Sequence, residues 1–132
     1  MSMNMQQERY LHNTVQQASP AQLLLMLYDG AIRFCKLAVN ELKKENYPAA
    51  NNHLLKAQDI VRELTCTLNM EFPISENLYK LYDYFNHLLI QANVKKSEEL
   101  VNEVLSYLIE LKETWILASK QAQIPNRNIT TR

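Results

Sequence analysis

The chain has 132 residues, a size typical of a single domain, and 47% of them are hydrophobic, which is enough for a buried core. Its 14 lysines and arginines are balanced by 14 aspartates and glutamates. Because proteins that bind nucleic acids usually carry an excess of basic residues, this balance argues against DNA or RNA as a partner.

One glycine and four prolines leave few sites for tight turns. Folds rich in β-sheet need turn residues between many short strands, so the sequence predicts long helices instead. Residues 1–18 are mostly polar, and we expect them to form an N-terminal arm. Ser19 to Gln22 then have the spacing of a capping box, with Pro20 at the first helical position, which predicts the start of a helix.

The first predicted helix continues to about Lys44. Asp29-Gly30 is a turn dipeptide by local rules, but apolar residues continue through it at spacings of three and four, which favours an uninterrupted helix. Glycine inside a helix costs about 1 kcal/mol relative to alanine. Gly30 therefore indicates either a close approach of another segment or no specific role.

Three more helices are predicted further along the chain. The second enters at Asn46 to Pro48, and Ser75 is expected to cap the third. Residues 93–96 form a polar connector, and Ser97 is expected to cap the fourth helix. From about Gln121 onward no periodicity is visible.

Helices joined by short connectors pack as antiparallel neighbours. The predicted fold is therefore all-α, an antiparallel up-down four-helix bundle with an N-terminal arm. Its expected parts are the arm at 1–18, the bundle at 19–120 and a flexible tail at 121–132.

The cellular setting is also constrained by the sequence. No stretch approaches the roughly 20 apolar residues of a membrane span, and the first ten residues lack the apolar centre of a secretion signal. Cys35 and Cys66 lie in helical segments without a CxxC spacing, so we expect reduced thiols packed as small hydrophobic side chains. These features predict a cytoplasmic protein without membrane insertion.

No catalytic or metal-binding pattern is visible. Di-iron bundles need Glu-x-x-His on two helices, and this chain has none, while His12, His53 and His87 lie on different segments. There is no G-x-S-x-G elbow and no P-loop. We therefore expect no enzyme activity, no cofactor and no metal.

Apolar residues beyond the core faces are the most informative feature. On a helical wheel Leu25, Ile32 and Val39 form a second line on the first helix, and the run from Leu23 to Tyr28 is wider than one buried face needs. A matching line on the fourth helix consists of Leu105, Ile109 and Ile116. Such lines are also normal at the margins of a bundle helix, which touches two neighbours. Two interpretations stay open, a groove for the helices of a partner and ordinary bundle packing.

Several segments resemble one known family. They are LYDGAI at 27–32, KAQDI at 56–60, LYKLYDYF at 78–85 and LKETW at 111–115, with Tyr10 and Ala18-Ser19-Pro20 before them. In this order and spacing, from about Tyr10 to Ala118, they resemble the flagellin export chaperones, the FliS family.

The resemblance implies an antiparallel helical bundle in the bacterial cytoplasm. Such a protein binds the disordered C-terminal segment of flagellin, prevents premature polymerisation and keeps flagellin competent for flagellar type III export. It also implies docking to an export gate component, for which Tyr10 in the arm is the candidate. The alternative function is a structural bundle that self-associates through its apolar lines, for example as a homodimer. Together the candidate partner-binding residues are Tyr10, Leu25, Tyr28, Gly30, Ile32, Val39, Leu105, Ile109 and Ile116.

Overall fold

A computed structural model describes residues 18–122, and they form four α-helices with no strand in this range. The helices are α1 (Pro20–Lys43), α2 (Tyr47–Cys66), α3 (Pro73–Lys95) and α4 (Glu98–Ala122). The prediction of an all-α fold is confirmed. None of the four helices has both the length and the apolar character needed to cross a bilayer.

The helices pack in a closed ring. α1 and α3 each pack against both α2 and α4. Gly30 of α1 lies against Ile60 of α2, whereas Phe34, one turn later, stacks on His53, earlier in α2. Neighbouring helices therefore run in opposite directions, as the short connections require, and the predicted four-helix bundle is confirmed.

Two predicted helix starts are confirmed by their hydrogen bonds. At α1 the Gln22 amide donates to Ser19 Oγ over 3.1 Å, and the Ser19 amide donates to Gln22 Oε1 over 2.8 Å. This reciprocal pair is a capping box. At α4 the Leu100 amide donates to Ser97 Oγ over 3.2 Å. Both serines use their side chains to satisfy amides that have no partner within the helix.

The predicted cap of α3 is wrong. The helix begins at Pro73, after Phe72, which makes no side-chain cap. Ser75 lies inside the first turn, is buried, and donates its hydroxyl to the Asn69 carbonyl over 2.6 Å. Proline at the first helical position starts the helix because it has no amide hydrogen to satisfy. The hydroxyl of Ser75 instead ties the α2–α3 connection onto the helix.

The predicted polar connector at 93–96 is also wrong, because α3 continues to Lys95. Asn93 faces α2 and donates its side-chain amide to Asn51 Oδ1 over 2.6 Å. The C-cap residue that follows is Lys96, whose φ of 55° lies in the left-handed region. Polar residues here form a contact between helices. A prediction from hydrophobicity alone assigns such residues to a loop.

Gly30 sits where α1 approaches α2. α1 runs through it without a break, as predicted, and a Cβ placed there would lie 3.0 Å from Ile60 Cδ1. The close approach of another segment is therefore real, and that segment is α2. The crowding atom is the tip of a half-buried side chain, which can move by a few tenths of an ångström.

We predict that Gly30→Ala raises the free energy of unfolding by about 0.5 kcal/mol. The gain in helix propensity, about 1 kcal/mol, exceeds the cost of displacing one methyl group. In an Ile60→Val background, which lacks Cδ1, the same alanine should gain the full amount. Urea unfolding measures both effects, and destabilisation in both backgrounds would contradict the explanation.

The two cysteines have different surroundings. Cys35 is fully buried in the core, whereas Cys66 is exposed, and both are free thiols. The expectation of a packed thiol is right for Cys35 and wrong for Cys66, which is the last residue of α2. Burial raises the pKa of Cys35 from 9.0 to about 12, because the thiolate would be poorly solvated inside the bundle.

A raised pKa makes the stability depend on alkaline pH. The contribution of Cys35 is fully present below pH 9.0 and is lost as the pH rises towards about 12. In this window the stability difference between wild type and Cys35→Ala should change by about 1.4 kcal/mol per pH unit, which corresponds to one proton. Denaturant unfolding at several pH values tests this, with Cys66→Ala as the control. Parallel curves for wild type and Cys35→Ala would contradict it.

Candidate functional site

An open apolar cavity lies at the end of the bundle where α1 and α3 begin and α2 and α4 end. Its volume is about 450 Å³. The first turns of α1, the α2–α3 connection, the start of α3 and the side chain of Trp115 form its walls. Most of the lining is apolar, including Leu23, Leu24, Leu68 and Leu78. The hydroxyls in the wall do not offer free donors, since Thr67 and Ser75 donate to the carbonyls of Leu64 and Asn69.

The rim of the cavity exposes large hydrophobic side chains. Phe72 and Ile74, which line it, are 59% and 58% exposed, and nearby Met70 in the same connection is equally exposed. Cavity and rim thus form one apolar surface. Such surfaces usually mark contact sites for a partner or ligand.

Three aromatic residues form a hydrogen-bonded cluster beside the cavity. The hydroxyls of Tyr28 on α1 and Tyr82 on α3 are 2.6 Å apart, and Trp115 on α4 donates its indole N–H to Tyr28 Oη over 3.0 Å. Both tyrosines are fully buried, while Trp115 is half-buried. The Tyr28 oxygen has two lone pairs, so it accepts from Trp115 and still shares one hydrogen bond with Tyr82. The cluster joins three of the four helices at the inner end of the cavity.

The two buried phenols stay protonated over a wide pH range. Burial raises the pKa of Tyr28 and Tyr82, because a phenolate would be poorly solvated there, and proximity to Tyr28 raises that of Tyr82 further. The cluster is therefore a neutral hydrogen-bonded unit, suited to holding helices in place rather than to proton transfer.

Comparison with known proteins identifies the family. The family model described as "Flagellar protein FliS" matches residues 2–122. The chain belongs to the FliS family. It is 36% identical over 106 residues to a Bacillus subtilis protein named flagellar secretion chaperone FliS, covering 80% of each chain. Relatives with the same name from Salmonella typhimurium and Vibrio cholerae are 34% and 33% identical, covering 85% and 74% of each chain.

The aromatic cluster unites the segments that carry the resemblance to the FliS family. Tyr28 lies in LYDGAI, Tyr82 in LYKLYDYF and Trp115 in LKETW. Three segments separated along the chain thus meet through two hydrogen bonds. Tyr28, one of the candidate partner-binding residues, lies in the core and contacts the cavity through Tyr82 and Trp115.

The two apolar lines lie along one helix boundary. Asp29 of α1 pairs with Lys112 of α4, which marks where these helices face each other. Residues three or four positions away share that side of a helix, so Leu25 and Ile32 flank Asp29, and Ile109 and Ile116 flank Lys112. The two apolar lines beyond the core faces therefore lie on the facing sides of α1 and α4.

The prediction that both lines lie outside the core is wrong for Ile32 and Val39. These two residues are buried, and α1, which carries them, packs against both α2 and α4. Leu25, Leu105 and Ile116 are half-buried and Ile109 is exposed, so part of this boundary stays open. A role of these residues and of Gly30 in binding a partner stays a prediction. Tyr10 lies outside the described residues.

The residues that sequence reasoning missed are those of the α2–α3 connection. Phe72-Pro73 was interpreted only as the end of a helical region, although Met70, Phe72 and Ile74 are unusually apolar for an exposed connection. That composition was the available signal.

For metals, no group of three or more His, Cys, Asp or Glu side chains is close enough to bind an ion within residues 18–122.

The contribution of the aromatic cluster to the free energy of unfolding can be tested by replacing its two tyrosines. Tyr28→Phe leaves the Trp115 indole and the Tyr82 hydroxyl without partners, whereas Tyr82→Phe leaves Tyr28 still accepting from Trp115. Each unsatisfied buried group costs about 1–3 kcal/mol. We therefore predict that Tyr28→Phe lowers the free energy of unfolding by about 2 kcal/mol or more and Tyr82→Phe by about 1 kcal/mol.

The double variant should be less destabilised than Tyr28→Phe, because it also removes the Tyr82 hydroxyl that the single variant leaves without a partner. Urea unfolding at neutral pH measures all three variants. Equal losses for the two single variants, or simple additivity in the double variant, would show that the hydrogen bonds do not act as one unit.

Proposed function

We propose that this protein is a cytoplasmic export chaperone that binds the disordered C-terminal segment of flagellin. In this role it prevents premature polymerisation and keeps flagellin competent for flagellar type III export. Membership of the FliS family, whose relatives are named flagellar secretion chaperones, supports this role. We also infer that the protein works by binding alone, without catalysis or a cofactor.

The open apolar cavity is the observation that carries the proposal. A flagellin segment that polymerises through apolar helix faces must have those faces covered before export. The cavity, with Phe72 and Ile74 on its rim, offers matching apolar surface outside the filled core. An amphipathic helix recognises such a groove through apolar residues at spacings of three and four.

A disordered segment needs a large contact area, because ordering it costs free energy. The cavity alone is too small for this, so the segment must extend over the bundle surface. The partly open α1–α4 boundary, with half-buried Leu25, Leu105 and Ile116 and exposed Ile109, is a candidate continuation. Docking to an export gate component through Tyr10 belongs to the same proposal and concerns the arm.

Trp115 provides a direct measurement of binding. It is the only tryptophan in the chain, and it lines the cavity. We predict that a peptide with the flagellin C-terminal sequence of the same bacterium changes its fluorescence with one-to-one stoichiometry. Calorimetry should show a negative heat-capacity change, because apolar surface is buried.

Two isoleucines on α3 form a matched pair of variants. Ile74 lines the cavity and is 58% exposed, while Ile90 lies near the other end of the helix and is 46% exposed. Ile74→Asn should weaken binding about tenfold, because it removes about 1.5 kcal/mol of apolar burial. Ile90→Asn should bind as wild type.

The alternative of a self-associating bundle makes a different prediction. A dimer that buries the cavity would persist when peptide is added and would give no peptide-dependent fluorescence change. Mass measurement over a range of concentrations distinguishes the two. Equal binding by Ile74→Asn and Ile90→Asn would refute the cavity as the binding site.

A further inference from the structure

A second feature lies on the outer side of the α3–α4 boundary. Tyr84 of α3 donates its hydroxyl to the carboxylate of Glu103 on α4. Tyr107 lies one turn after Glu103, on the same side of α4, and its ring packs against buried Phe85 with 5.6 Å between centroids. Tyr84 and Tyr107 are 40% and 39% exposed. A half-buried carboxylate thus accepts a hydrogen bond from one exposed tyrosine and lies one helical turn from another, and we call these three residues the aromatic–acidic socket.

Among residues 18–122, no salt bridge neutralises the carboxylate of the socket. α4 carries five acidic and two basic residues. Lys112 pairs with Asp29, and Lys80 of α3 pairs with Glu76. Within residues 18–122 no lysine or arginine forms an ion pair with Glu103. The surface therefore has an electrostatic preference for a cation that the described bundle does not provide.

A continuous line of side chains leads from the socket to the cavity. Glu103, Tyr107, Leu111 and Trp115 follow each other at four-residue spacing on α4, which forms a ridge inclined to the helix axis. Tyr107 is exposed, Leu111 and Trp115 are half-buried, and Trp115 reaches the cavity. Eight residues separate Tyr107 from Trp115, about 12 Å along the helix. A chain bound in the cavity can thus follow this line to the socket.

We propose that the aromatic–acidic socket binds an arginine side chain of the flagellin segment whose apolar residues occupy the cavity. This inference rests on the proposed function and adds a specific contact to it. A guanidinium group is planar, so it can stack on a tyrosine ring while it donates hydrogen bonds to a carboxylate. If the bound segment is helical and lies along α4, this arginine is about eight to twelve residues from the cavity anchor. Tyr107 and Glu103 lie eight and twelve positions from Trp115, and both helices rise by the same distance per residue.

Glu103→Gln tests the socket with little change in shape, since the amide oxygen still accepts from Tyr84. Titration of the flagellin C-terminal peptide should show an increase in Kd of about fivefold, consistent with a partly exposed ion pair flanked by aromatic rings. The change in Trp115 fluorescence at saturation should be unaltered. Glu113→Gln is the matched control, because Glu113 lies on the same helix and is exposed on its outward side. Its Kd should stay within about twofold of the wild-type value.

The peptide provides the other half of a double-mutant cycle. One arginine of the peptide, replaced by glutamine, should weaken binding to wild type but cause no further loss with Glu103→Gln. Tyr107→Leu, which keeps apolar contact with Phe85, should also weaken binding. An unchanged Kd for Glu103→Gln together with a normal Trp115 response overturns the socket and leaves the cavity intact. The absence of any wild-type Trp115 response overturns the proposed function, and the socket with it.

Discussion

The hydrogen-bonded cluster of Tyr28, Tyr82 and Trp115 is the constraint on which this bundle depends. A phenol without access to water must find a hydrogen-bond partner, because an unpaired buried hydroxyl is costly. Here the partners come from α3 and α4, so the requirement of a single Tyr28 oxygen fixes three helices relative to one another. Apolar packing alone would tolerate small sliding movements of the helices, whereas these hydrogen bonds tolerate little.

The cluster also lies between the filled part of the core and its open end. From Tyr28 towards the far end of the bundle, small and branched side chains such as Ala31, Cys35 and Val101 fill the interior. Towards the near end, Leu24, Leu68 and Leu78 line a space that they do not fill. An apolar space left open lowers stability, because its lining lacks contacts. Stability lost there becomes binding energy when a partner fills the space.

The sequence was sufficient to predict the helices and their arrangement. Apolar spacing of three and four gave four helices, and the local chemistry of Ser19 and Ser97 identified two of their starts correctly. Ser75 and Asn93 misled the same reasoning, because a polar side chain near a helix end has the same local signature whether it caps the helix or bonds to another segment. Only the position of the partner, Asn69 or Asn51, distinguishes these cases.

The candidate site was less predictable than the fold, because it depends on distances between helices. A helical wheel gives the direction of Ile32 and Val39, but not the distance to the helix that covers them. The cavity is lined by parts of α1, the α2–α3 connection, α3 and α4, and such an arrangement cannot be read from the periodicity of any single helix. Of the surface proposed to bind cargo, the two apolar lines and the run from Leu23 to Tyr28 are visible in the sequence, and the apolar composition of the α2–α3 connection is a signal that was overlooked.

The apolar cavity and the aromatic–acidic socket would contribute differently to recognition. Apolar burial is not directional, so a cavity lined with leucines accepts many amphipathic segments in several registers. A charged contact requires one cation at one distance, and such contacts fix register more than they add affinity. If the cavity supplies most of the binding energy and the socket selects its alignment, then a chaperone without any polar groove can still distinguish its cargo from other amphipathic helices. Specificity would then come from the spacing in the cargo between an apolar anchor and an arginine. Only a cargo whose spacing matches the fixed distance along α4 from Trp115 to Glu103 could fill both sites.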